Sequence, residues 1–135
     1  MSYPITDIDG IDGDAASTFR AAGIRSTERL LEQARDVKGR KALAEKTGFD
    51  EKQLLCWANV ADRMRIKGVS REYAELLQAA GVDTVKELKY RNPANLASAM
   101  AEANSKRKLV RLLPSEKLVC RWIEHAKKLP LKISY

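Results

Sequence analysis

The chain has 135 residues, 44% of them apolar and 32% charged, the balance of a globular protein that can bury a core of its own. No apolar run reaches the roughly 18 to 20 residues needed to span a bilayer. The opening Met1-Ser2-Tyr3-Pro4, followed by several Asp, has the make-up of neither a signal nor a transit peptide, so a cytoplasmic protein with no membrane role is expected. The net charge is +7, and it is unevenly placed. Residues 1–104 are electrically balanced, whereas residues 105–135 carry nine basic residues (Lys106, Arg107, Lys108, Arg111, Lys117, Arg121, Lys127, Lys128, Lys132) against only Glu116 and Glu124. A basic end on a neutral body attracts a polyanion or an acidic partner, and a merely solvated helical face has the same composition.

Helices follow in chain order from start and stop signals. Asp14–Ala22 and Arg71–Ala80 each run into Ala-Ala-Gly, where Gly23 and Gly81 are placed for the left-handed conformation that ends a helix. Ser26 or Thr27, and later Thr84, stand where the next helices need an N-cap. Lys38–Thr47 stops at Gly48, and Asp50 opens Glu51–Met64, which carries Leu54, Trp57, Ala58 and Ala61 at helical spacing. Pro93 suits the first turn of a helix reaching about Asn104. Pro114 and Ser115 open the last helix, with Leu118, Trp122 and Ile123 on one face and Pro130 at its end. Only the end pieces Tyr3–Thr6 and Leu131–Tyr135 are candidates for a short extended pair.

The sequence also repeats itself. IDGIDGDAASTFRAAGIRSTERL at residues 8–30 aligns without a gap on IKGVSREYAELLQAAGVDTVKEL at residues 66–88, a constant shift of 58. Further on, Asp50-Glu51-Lys52 leading to Trp57 matches Ser115-Glu116-Lys117 leading to Trp122 at a shift of 65. The second half therefore holds about seven extra residues, around Lys106–Leu113. The expected fold is all-α, about eight short helices in two repeated halves, residues 1–64 and 65–135. Trp57 and Trp122 are expected as equivalent core anchors.

Ile66-Lys67-Gly68-Val69-Ser70, lying between two helical patterns and followed by Ala74, Leu77 and AAGV, resembles the helix-hairpin-helix motif. That resemblance implies a tight apolar-glycine turn whose backbone N–H groups, with the next helix N-terminus, meet a DNA phosphate. Unpaired amides and the positive end of a helix dipole favour an anion, and glycine permits close approach. Such contacts hold the backbone of a nucleic acid and do not read its sequence. Two departures bear on this. The second glycine of the motif is replaced by Asp12 in the first copy and Ser70 in the second. The first turn carries Asp7, Asp9, Asp12 and Asp14, which repel phosphate, whereas the second has Lys67, Arg71, Arg63 and Arg65 close by in sequence. Over nearly its whole length the chain is also similar to a bacterial family of unknown function built from such repeats, through GRKALAEKTGF, LLCWANVADRMRIKGV, YAELLQAAGVDTVKEL and WIEHAKKLPLKISY. That resemblance implies a fold and no activity.

No catalytic constellation is evident. Cys56 and Cys120 sit in helical patterns beside Trp residues, as buried packing does, and the single histidine, His125, has no catalytic neighbour in sequence. DIDGIDGD fails the calcium-loop spacing, because counting from Asp7 puts Ile11 fifth and Thr18 twelfth. Phosphate-binding loops and metal-ligand spacings are likewise missing, so neither cofactor, metal nor small-molecule substrate is expected. Two readings from different classes stand. One is a non-enzymatic module holding DNA or another nucleic acid through Lys67, Gly68, Val69, Ser70 and Arg71 together with Lys106, Arg107, Lys108, Arg111, Arg121, Lys127 and Lys128. The other is a protein-interaction module for an acidic or helical partner. They differ in whether the basic C-terminal residues share a surface with the second hairpin.

Overall fold

Most helices start at a side chain that accepts one of their orphan amides, and four of them stop where the backbone turns left-handed, at Gly23, Gly48, Gly81 and Lys108. The computed structural model describes residues 2–135, all-helical among those residues; Met1, where the first half begins, lies outside them. A short 3-10 turn, Ile5–Asp7, precedes α1 (Gly13–Ala21), α2 (Thr27–Ala34), α3 (Val37–Thr47) and α4 (Glu51–Arg63). Then follow α5 (Arg71–Ala79), α6 (Val85–Leu88), α7 (Pro93–Arg107) and α8 (Glu116–Lys128). Asp12, Ser26, Asp36, Thr84, Asn92 and Ser115 each cap the following helix by accepting a backbone N–H through the side chain.

Helices α1 and α5 end alike. Gly23 (φ +84°) and Gly81 (φ +96°) are left-handed. The Ile24 amide reaches back to Phe19 O at 2.8 Å and the Val82 amide to Leu77 O at 2.9 Å, the pairing of a Schellman motif. Phe19, Ile24, Leu77 and Val82 are all buried, so the hydrophobic contact that accompanies the motif is present in both places.

The chain forms two units, residues 2–65 with Lys132–Tyr135, and Ile66–Leu131. In the first, α2 packs on α3 and α4, and Phe19, Phe49 and Trp57 form a ring cluster with centroids 5.0 to 5.5 Å apart. In the second, α7 packs on α5 and α8, and α6 on α8, around buried Leu77, Leu96, Met100, Val119, Trp122 and Ile123. Trp57 and Trp122 are buried, at 4% and 1% exposure, as expected of core anchors.

Three expectations are corrected. Residues 3–6 and 131–135 do not pair with each other: Pro4 bridges to Ser26. The tail instead lies on the first unit, with Ser134 N donating to Arg35 O at 2.7 Å and Arg40, a buried side chain, donating to Ala34 O and Ser134 O. Cys56 and Cys120 are exposed and unbridged, because they lie one and two residues before a buried Trp, and steps of roughly 100° per residue turn them off its face. Val119, with Trp122, Ile123 and Ala126, makes the buried face of α8, and Leu118 is only half-buried.

Candidate nucleic-acid interface

The two glycine hairpins share a backbone and differ in chemistry. Gly10 and Gly68 both have φ +90°. At each, an added Cβ would stand 3.4 Å from the indole Nε1 of a buried tryptophan, Trp57 in the first case and Trp122 in the second. The turns close identically, Ile11 N donating to Ile8 O at 3.2 Å and Val69 N to Ile66 O at 3.0 Å. The N-cap residues have nearly the same dihedrals, −80°, −173° at Asp12 and −89°, −174° at Ser70. Yet Asp12 Oδ1 accepts from Ala15 N at 2.8 Å, while the Ser70 side chain makes no cap bond. The N-cap of α1 thus supplies an anion bonded to the helix, and that of α5 does not, although Glu72 lies in the first turn of α5.

Within the second hairpin, Lys67, Gly68, Ser70 and Arg71 are exposed. Val69 is fully buried, and its amide is consumed in closing the turn, so it plugs the hairpin and offers nothing to a ligand. Arg71 Nε lies 3.5 Å from Glu75 Oε1. The Lys67 amide donates to His125 Nδ1 at 3.1 Å, a bond between hairpin and α8 that sequence reasoning missed. It matters because it shows which side of α8 meets the hairpin. With His125 against the hairpin, Arg121 and Lys128, one turn to either side, fall on the same side of the helix, as does Lys117. All three are exposed.

The other basic residues divide. Lys108 and Arg111 line a surface groove of about 660 Å³ together with Glu72, Tyr73, Leu109 and Leu112, directly beside the first turn of α5. Lys106 and Arg107 instead line a separate groove with Ala79 and Ala80, at the opposite end of α5, and Lys106 pairs with Glu102 at 3.5 Å. Lys127 points to the far side of α8 from His125 and pairs with Glu124 at 3.1 Å. Of the residues singled out on sequence, Lys108 and Arg111 therefore line the groove beside the first turn of α5, Lys67, Gly68, Ser70 and Arg71 are exposed on the hairpin, Arg121 and Lys128 lie on the side of α8 that carries His125, and Lys106, Arg107 and Lys127 fall elsewhere. Tyr73, Leu109 and Leu112 line the groove, and His125 meets the hairpin, without having been foreseen; the seven-residue surplus of the second half was a signal for Leu109 and Leu112 alone.

Among the described residues no group of three or more His, Cys, Asp or Glu is placed to hold a metal ion, and no helix is long and apolar enough to cross a membrane. No curated protein and no solved structure matches the chain. A family model does: the domain of unknown function DUF4332 matches residues 9–129, and the chain belongs to that family.

Proposed function

We propose that this chain is a non-enzymatic module that binds nucleic acid through its phosphates, and that its two halves are copies of one helix-hairpin-helix-type unit of which only the second keeps an open site. The observation that carries the reading is the contrast between two hairpins of the same backbone. The first is acidic and capped by its own Asp12; in the second Ser70 makes no side-chain cap bond, and Lys67 and Arg71 flank it. An anion at that turn completes the capping the sequence omits. The cations of the neighbouring groove and of α8 supply the field that brings it there.

Contacts of this kind are electrostatic and indifferent to base order. The test is a titration of the protein with labelled DNA and RNA at several salt concentrations. With about three phosphates neutralised, log K falls with log salt at a slope near −2 to −3. Absence of binding at low salt overturns the reading. In that case Leu112 and Leu113, exposed at 76% and 41% on the same surface, favour the other class of function, a protein partner whose acidic residues meet the cations and whose apolar side chains cover the leucines.

A further inference from the structure

We propose that the groove beside the second hairpin receives an unpaired base, so that the site prefers single-stranded to duplex nucleic acid; this deepens, and rests on, the nucleic-acid reading above. The loop that forms the groove wall is the surplus of the second half, and it is fixed. Asn104 holds Val110 with both atoms of its amide, Oδ1 accepting from Val110 N at 2.9 Å and Nδ2 donating to Val110 O at 3.1 Å. Tyr73 donates its hydroxyl to Leu112 O at 3.2 Å from across the groove. Lys108 takes the left-handed conformation at φ 51° to leave α7. These bonds hold Leu112, 76% exposed, in a defined position with Leu109 and Tyr73 along the same groove. A large apolar side chain kept facing water by an anchored loop is unpartnered surface, and here it lines the same groove as two cations, Lys108 and Arg111.

That mixture selects among anions. A free phosphate would use the cations and ignore the apolar wall. It would also be repelled by Glu72, which lines the same groove. A duplex offers phosphates but keeps its bases stacked inside. A single strand offers charge and an exposed base within one nucleotide, which is what a groove with cationic edges and an apolar, part-aromatic wall accommodates. Glu72 then has a use, since a carboxylate accepts from the amino group of a base such as cytosine.

The test uses the whole protein and two labelled probes, an oligonucleotide of mixed sequence and its blunt duplex, read by fluorescence anisotropy at low salt. The single strand is expected to bind more tightly, by about fivefold or more. Leu112→Ser should lower single-strand affinity by about fivefold and leave duplex affinity unchanged, while Leu112→Trp, which adds a stacking face, should raise single-strand affinity. Leu112 is exposed, so both variants should keep the wild-type circular dichroism. Equal or tighter duplex binding by the wild type, or a Leu112→Ser effect that is absent or the same on both probes, overturns the inference while leaving phosphate binding standing. Failure of both probes to bind overturns the phosphate reading and this one with it.

Discussion

Replacing Ser70 by Asp separates the stability of the second hairpin from its proposed use. Ser70 and Asp12 sit at equivalent N-caps whose dihedrals agree within about ten degrees, and only Asp12 bonds its helix, at 2.8 Å to the amide three residues on. The carboxylate of Ser70→Asp should reach the Tyr73 amide in the same way. A missing cap bond restored is worth about 0.5–1 kcal/mol, and a negative charge at the helix start adds a few tenths more. For a chain of this length the midpoint of thermal unfolding should rise by about 2–5 °C. The same substitution adds a like charge beside the proposed phosphate site, and at a separation of about 5 Å the repulsion is roughly 1–3 kcal/mol at effective dielectric constants between those of water and a protein surface. Nucleic-acid affinity at low salt should therefore drop about tenfold or more, and the gap should narrow as salt screens the added charge. The assay is a thermal melt followed by circular dichroism beside an anisotropy titration at two salt concentrations. A higher melting point with unchanged affinity would show that the hairpin is not where phosphate binds. An unchanged melting point would refute the capping equivalence itself.

Other outcomes follow from the same geometry. Gly23→Val and Gly81→Val should each lower stability by about 1 kcal/mol or more in a denaturant melt, since both sites have positive φ and a β-branched residue resists it; no neighbour lies within 4 Å of a Cβ at Gly23, so the loss there is backbone strain alone. Arg111→Ala with Arg121→Ala should flatten the salt dependence of binding by about 1.5 in slope, whereas Lys106→Ala with Arg107→Ala, in the separate groove, should leave the slope unchanged. Lys132 lowers the pKa of Glu32 first by its hydrogen bond and then by its charge. That pair holds the tail when the carboxylate is ionised and lets go as pH falls through the depressed value. Lys132→Ala should raise the Glu32 titration toward the ordinary glutamate range, measured by carboxyl NMR.

Helix boundaries were legible because they are written locally. Gly23, Gly48, Gly81, Pro93 and the capping residues act on chain within one turn of themselves, so reading them needs no knowledge of packing. The tail was not legible. Its place depends on Arg40, a side chain that reaches Ser134 from far along the chain, and a buried arginine serving two carbonyls has no sequence signature. Helical phase explains the other errors. Cys56 and Cys120 read as buried beside their tryptophans, though one residue step from Trp57 and two from Trp122 turn them to solvent. The basic residues were visible as a list, but their sorting depends on the groove each lines along α5 and on the orientation of α8. The bond from Lys67 N to His125 Nδ1 shows which side of α8 meets the hairpin, and the histidine alone gave no hint of it.

The contrast between Asp12 and Ser70 also bears on how many ligands one chain takes. If the halves are copies of one unit, the backbone of both hairpins is equally able to receive an anion, since Gly10 and Gly68 share a φ of +90° and each approaches a tryptophan at the same distance. What removes the first from use is chemistry. Asp12 occupies the amide, and Asp9 and Asp14 raise the negative field around it. In the second hairpin Ser70 makes no cap bond, Lys67 and Arg71 are on the turn, and Lys108 and Arg111 line the groove beside it with Glu72. A helix start left uncapped lowers stability unless something else satisfies it, and an external anion does so only when bound. The protein should therefore bind one site per chain, and saturation with nucleic acid should raise its melting temperature. Asp12→Ser, which removes the internal anion from the first hairpin, should lower stability by about 1 kcal/mol without creating a second binding site, because Asp7, Asp9 and Asp14 remain. A stoichiometry of two sites per chain in the wild-type protein, measured by isothermal titration, would refute the division of roles.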